Sequence, residues 1–179
     1  MDMKAIIKPG GILLLISAVA ALLLGVVSEV TKEPIAMQTT NTLNASMQAV
    51  MPDAASFEEL EDIELTDSLT AVYKADTGGF VVTAAPSGFG GAVNTMVGID
   101  ADGVVTGLRV TGHAETPGLG AKSTDPSFYE QFAGTSGELA VTKDGGEIVP
   151  ITSSTITSRA VTSGANDALA WFAENGGAY

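Results

Sequence analysis

Residues 9–28 read PGGILLLISAVAALLLGVVS, twenty positions without a charge. At about 1.5 Å per residue a helix of that length reaches roughly 30 Å, the thickness of a bilayer's hydrocarbon core. The run predicts a transmembrane helix and confines any water-soluble fold to the residues C-terminal to it. Lys4 and Lys8 precede the run, and Glu29, Lys32 and Glu33 come after it. Basic residues favour the cytoplasmic side. The short tail 1–8 is therefore expected in the cytoplasm, and the rest of the chain outside the cytoplasmic (inner) membrane. A cleaved signal peptide is the rival reading. Against it, the run is longer than a usual signal core, and Gly-Val-Val-Ser-Glu offers no Ala-x-Ala cleavage site. A lipoprotein anchor needs a cysteine, and the sequence has none.

The remaining length suffices for one domain with a real core. Eight basic and 21 acidic residues give a formal charge of −13, the wrong sign for a nucleic-acid surface. Without cysteine there are no disulfides, thiolate zinc sites, ordinary iron–sulfur clusters or Cys nucleophiles. His113 is the only histidine, so a multi-His metal site within the chain is impossible and no metal ligands are assigned. Redox chemistry would have to come from an organic cofactor or a partner protein.

After the apolar run, Ile35, Leu43, Met47 and Val50 sit among helix formers, with Pro34 near the start of this segment and Pro52 as its stop. Residues 57–67 carry Glu58, Glu59, Glu61, Asp62, Glu64 and Asp67. They lack the spacing and glycine of an EF-hand and read as a solvated connector, so 29–67 is taken as helical and acidic linker. From 68 the pattern turns to strands: 69–75 and 80–84 around Asp76-Thr77-Gly78-Gly79, then 92–99 and 104–111 around Asp100-Ala101-Asp102-Gly103. A short helix is expected from Pro126, capped by Asp125, and a short strand at 139–142. A final helix near Thr157 buries Val161, Ala165, Ala168, Leu169 and Phe172. Trp171 beside them reads as packing, and Gly176-Gly177 as the helix end. The sum is an α+β fold: one N-terminal transmembrane helix, then a single domain (68–179) with a twisted antiparallel sheet and packed helices.

Three stretches could carry chemistry. Gly88-Phe89-Gly90-Gly91 precedes a strand rather than a helix, so it is no dinucleotide fingerprint; it is either a tight turn or a place where backbone approaches a ligand closely. His113 to Lys122 is an irregular loop, with Pro117, Gly118 and Gly120 enforcing its course and Glu115, Thr116 and Lys122 offering polar groups. A lone His near a Glu could act as a general base, but no nucleophile stands beside it, and no catalytic residue is assigned. Thr152 to Ser158 places six hydroxyls in seven residues ahead of the last helix. They are either N-caps or part of an anion site at the helix N-terminus.

Gly88-Phe89-Gly90-Gly91, then Val97-Gly98-Ile99-Asp100 with Asp102-Gly103, then Glu115-Thr116-Pro117-Gly118-Leu119-Gly120, then residues 151–161 occur in order. This arrangement resembles the FMN-binding domain of the G subunit of Rnf-type ion-translocating ferredoxin:NAD oxidoreductases. The C subunit of sodium-pumping NADH:quinone oxidoreductase shares that domain on a usually longer chain. The resemblance covers about 31–172. It implies an electron-transfer subunit, not a complete enzyme alone, in a membrane complex that couples ferredoxin:NAD electron transfer to Na⁺ or H⁺ movement. It implies partners among polytopic and iron–sulfur subunits, and a flavin transferase that attaches FMN to a threonine hydroxyl through a phosphoester, recognising a pattern close to Asp-x-x-Thr/Ser-Gly-Ala-Thr. Laid on this chain, the pattern ends at Thr155, the expected attachment site, with Thr157 as the fallback. Ser153 replaces the glycine, Ser154 the alanine, and Val149 stands where the aspartate is expected. Ser153, Ser154, Glu115, Thr116, Gly118, Leu119, Gly120, Lys122, Gly90 and Gly91 are the expected surroundings of the flavin. The alternatives are that C subunit or a stand-alone anchored flavoprotein, and an anchored binding module without redox activity.

Overall fold

The computed structural model describes residues 3–61, 63, 65 and 68–179. Two units divide the chain, Met1–Leu43 and Asn44–Tyr179. Asp62, Glu64 and Asp67 of the expected connector lie outside the described residues, as do the side chains of Lys4, Lys8 and Glu33.

Helix α1 spans Met3–Val50. The stretch Gly10–Lys32 within it is long and apolar enough to cross a membrane. Its leucines, isoleucines and valines are exposed on every side, which suits a helix whose solvent is lipid. Thr31 turns its hydroxyl back to the Val27 carbonyl at 2.9 Å, and Lys32 donates to Glu29 at 2.6 Å. The sequence suggests a second helical piece with Pro34 near its start; instead one helix runs through Pro34. Proline removes a single i→i−4 bond, which a helix of this length can lose without ending.

In the second unit, β1 (Phe57–Glu59), β2 (Leu69–Ala75), β3 (Phe80–Ala84), β4 (Val93–Ile99) and β5 (Val105–His113) form an antiparallel sheet in chain order. Both expected hairpins are present. The charge pattern places β1 in a solvated connector; it is in fact a sheet edge, with Phe57 opposite Ala75 and two exposed glutamates that suit an edge strand. The short helix α2 covers Pro126–Tyr129, and the long helix α3 covers Thr155–Asn175. Asp125 stands at the N-cap of α2 but makes no side-chain cap bond. The strand expected at 139–142 is replaced by a 3-10 turn at Thr142–Asp144 and a single parallel bridge from Val141 to Ile148. Gly145, at φ +89°, reverses the chain before a strand can extend.

The central strands are buried on both faces, and register shows why. Val82, Val97 and Leu108 form one cross-strand row, and they join Val161, Ala165 and Ala168 of α3 in the main core. Phe80 meets Trp171 and Phe172 edge-on, at 5.4 and 5.9 Å between ring centres. Val81, Gly98 and Gly107 form the neighbouring row on the opposite face. There the last turn of α1 lies directly on the sheet. A Cβ on Gly98 would come within 2.5 Å of the Val50 carbonyl oxygen, and the Thr106 hydroxyl donates to that same oxygen at 2.6 Å. Glycine thus lets a helix end reach the backbone of the sheet, and Thr106 satisfies a carbonyl that the helix terminus leaves unpaired. The result is an α+β unit whose sheet recruits Phe57–Glu59 and the end of α1, ahead of the domain start expected at 68.

Candidate functional site

Three loops converge at one end of the sheet: the β3–β4 turn, the loop after β5, and the entry to α3. Their organising group is Glu115. Its carboxylate is buried, and both oxygens are used. Oε1 accepts the backbone N–H groups of Phe89 at 2.7 Å and Gly90 at 3.1 Å; Oε2 accepts the Thr157 hydroxyl at 2.8 Å. One side chain therefore ties segments 26 and 42 residues away. Burial raises its pKa, but the hydrogen bonds from the Gly90 N–H, the Thr157 hydroxyl and the Phe89 N–H outweigh it and hold the carboxyl below its ordinary range. His113 Nδ1 accepts the Glu115 N–H at 3.2 Å, a positioning contact. Gly120 permits the approach, because a Cβ there would lie 2.4 Å from Glu115 Oε2 and 2.7 Å from Thr157 Oγ1.

Around this knot lies a cavity of about 350 Å³, lined by Phe89, Glu115, Thr116, Leu119, Gly120 and residues 153–157. Eight expected site residues thus come together on it: Glu115, Thr116, Leu119, Gly120, Ser153, Ser154, Thr155 and Thr157. Gly90 takes part through its N–H, and Gly91 closes the turn by accepting Gly88 N–H at 2.7 Å. Gly118 makes the loop's left-handed turn (φ +76°) outside the lining. Lys122 lies instead on a neighbouring cavity with Asp125, Gln131 and Thr152. Phe89, which the glycine motif contains but which is not among the expected site residues, and Ile156 are additions. They are 72% and 51% exposed, and with Leu119 they give the cavity an apolar rim.

The hydroxyl cluster divides by role. Ser158 accepts Ile151 N–H at 2.9 Å and donates to the Ser154 carbonyl at 3.0 Å, which fixes the chain's entry into α3. Thr157 is buried and bound to Glu115. Ser154 occupies the N-cap without a side-chain cap bond. Ordinary capping therefore does not account for the cluster, and the first N–H groups of α3 keep their capacity to bind an anion. Thr155, the first residue of α3, is half-buried on the cavity, and its Oγ1 receives Lys143 Nζ at 2.8 Å. Lys143 comes from the Thr142–Asp144 turn, whose Asp144 forms a bidentate pair with Arg159 at 2.7 and 2.6 Å. That hydrogen bond with Arg159 holds the Asp144 carboxyl below its usual range. Nothing in the linear pattern joins Lys143 to Thr155.

Ser153, where the resembled pattern has glycine, is the single non-glycine residue at positive φ among those described, at +64°. A side chain in that left-handed region costs roughly 1–2 kcal/mol, and glycine returns part of the gain as unfolded-state entropy. Ser153→Gly is expected to stabilise the chain by about 0.5–1 kcal/mol, measured as a raised denaturation midpoint in detergent. An unchanged or lowered midpoint would contradict this account.

Comparison with known proteins agrees with this architecture. The FMN-binding domain family matches residues 88–170, and the RnfG N-terminal region matches residues 1–50. The G subunit of the Na(+)-translocating ferredoxin:NAD(+) oxidoreductase complex of Acetobacterium woodii is 42% identical, over 92% of this chain and 90% of that one. The G subunit of the ion-translocating oxidoreductase complex of Methanosarcina acetivorans is 33% identical, over 94% and 95%. The G subunit of the proton-translocating ferredoxin:NAD(+) oxidoreductase complex of Clostridium ljungdahlii is 32% identical, over 84% and 83%. Among solved structures, the C subunit of the Na(+)-translocating NADH-quinone reductase of Parabacteroides distasonis shares the fold, with a TM-score of 0.52, 21% identity, and 68% of this chain and 77% of that one covered. With an apolar N-terminal helix, an FMN-binding domain and relatives aligned over nearly their whole length, the chain belongs to the G-subunit family of ion-translocating oxidoreductase complexes.

Proposed function

We propose that this chain carries FMN as a phosphoester on Thr155 and relays electrons within a membrane complex that moves ions. The observation that carries the reading is the state of the two candidate hydroxyls. Thr155 lies on the cavity at the head of α3, whereas the fallback, Thr157, is buried and spent on Glu115. A phosphate at Thr155 would meet the free N–H groups and positive end of α3. Phe89, Leu119 and Ile156 supply apolar surface suited to a flat ring, and Thr116 and Ser153 supply polar groups at its margin. A flavin bound there would supply the redox chemistry that the side chains of a cysteine-free chain do not. Attachment keeps the cofactor on a domain outside the cytoplasm, where a free flavin would be lost by dilution.

In this reading the apolar helix anchors the chain, with residues 1–8 in the cytoplasm, 9–28 in the bilayer, 29–67 as connector and the flavin domain outside. No ionisable residue occurs between positions 9 and 28, so the ion path belongs to polytopic partner subunits. Iron–sulfur subunits are the electron partners, and a flavin transferase matures the chain. The named relatives include both sodium and proton translocators, so family membership leaves the coupling ion open to either. Intact-mass measurement of the full chain, purified in mild detergent from its own membranes, tests the linkage. The expected increment is FMN minus water, carried on the peptide that contains Thr155. A bare polypeptide overturns the proposal, and recovery without polytopic and iron–sulfur subunits favours a stand-alone flavoprotein.

A further inference from the structure

We propose that Lys143 is the cationic partner of the phosphodiester at Thr155, a binding residue supplied by the Thr142–Asp144 turn rather than by the loops that line the cavity. The inference rests on Thr155 as the attachment site and adds the group that neutralises the charge there. Lys143 Nζ lies 2.8 Å from Thr155 Oγ1. A phosphoryl group carried on that oxygen presents its charge to the same ammonium, and an ammonium–phosphate contact is among the stronger hydrogen bonds.

Three features make this contact more than a surface lysine near a threonine. The first is that the turn bearing Lys143 is anchored. Asp144, the next residue, is clamped by Nε and Nη2 of the Arg159 guanidinium. Thr142 N–H donates to the Ile148 carbonyl at 2.8 Å, and Asp144 N–H to the Val141 carbonyl at 2.8 Å. Arg159 stands one helical turn beyond Thr155, so the clamp ties Lys143 to the helix face that bears the hydroxyl. The second feature is that the other cations of the folded unit are engaged otherwise. Arg109 lies over the Tyr129 ring at 3.8 Å, Arg159 is paired with Asp144, Lys74 donates to the Tyr179 carbonyl, and Lys122 lines a different cavity. The third is the formal charge of −13. A further anion on such a chain needs local compensation, and helix N–H groups supply only part of a positive charge.

Lys143 is exposed and outside the core, so its replacement leaves the fold intact. The test compares wild type, Lys143→Met, Lys143→Arg and Thr155→Val, each as the full chain co-expressed with a flavin transferase. Intact mass gives the ratio of flavin-bearing to bare chain over time, and the ³¹P resonance of the loaded chain reports the phosphate's surroundings. Lys143→Met is expected to load about tenfold more slowly, the loss of one strong charge-assisted contact, and Lys143→Arg to recover most of the rate. Slowed loading, or a displaced ³¹P resonance in the fraction that does load, bears the inference out. Wild-type loading with an unmoved resonance overturns it. Flavin retained by Thr155→Val would instead overturn the attachment site, which separates the two failures.

Discussion

Thr155→Val is expected to yield a chain with no covalent flavin at all. The denatured polypeptide should be colourless and dark under ultraviolet light, with its mass equal to that of the bare sequence. Valine matches threonine in shape but has no oxygen to esterify. The neighbouring hydroxyls do not substitute. Thr157 is buried against Glu115, and Ser158 is locked between the Ile151 N–H and the Ser154 carbonyl. Ser153 and Ser154 lie before the helix rather than at its first residue. The fold should be unaffected, because Thr155 is half-buried and, among the described residues, its side chain bonds the exposed Lys143 alone. Thr155→Ser keeps the hydroxyl and is expected to retain flavin. Fluorescence in the Thr155→Val band at wild-type strength would move the attachment elsewhere.

Much of the scaffold is legible in the sequence because its signals are local. Twenty uncharged residues mark the apolar helix, Asp-Thr-Gly-Gly and Asp-Ala-Asp-Gly mark the two hairpin turns, and the stripe Val161, Ala165, Ala168, Leu169 marks the buried face of α3. The order of motifs also groups Glu115, Thr116, Leu119 and the hydroxyl run in one set without any geometry. The contacts that span distance are not legible. No periodicity links Glu115 to Thr157 or to the turn at Phe89, because a carboxylate that bonds distant backbone looks in sequence like any loop glutamate. Lys143 sits in a turn that reads as solvent-facing, and its contact with Thr155, beside the Arg159–Asp144 pair, joins segments that no local pattern connects. β1 is hidden because two of its three residues are glutamates; charge marks an edge strand as readily as a linker. The hydroxyl cluster suggests capping, yet its members are used to fix a loop, to satisfy a carboxylate and to face a lysine.

Glu115→Ala is expected to be the most destabilising change at the site, because it strands three donors at once. The N–H groups of Phe89 and Gly90 and the Thr157 hydroxyl lose their common acceptor. A buried donor left without a partner costs about 1–3 kcal/mol. Water entering the adjoining cavity can satisfy some of them, so the expected loss is about 3–4 kcal/mol, read as a fall of roughly 10 °C in the melting midpoint. Glu115→Gln should behave differently. Its amide oxygen can take the two backbone N–H groups, and its NH₂ can donate to Thr157, whose hydroxyl reverses from donor to acceptor; the cost is about 1 kcal/mol. The pair also separates shape from charge. The folded-state pKa of Glu115 is depressed, so its contribution is complete above the unfolded glutamate value of about 4.3 and is lost as pH falls through the lower folded value. Wild type should therefore weaken over that acidic window, and Glu115→Gln should lose this part of the slope while keeping most of its stability at neutral pH. Equal stability of Glu115→Ala and wild type at neutral pH would mean that the carboxylate does not hold the three loops together. An unchanged acid slope in Glu115→Gln would mean that its charge contributes nothing to that hold.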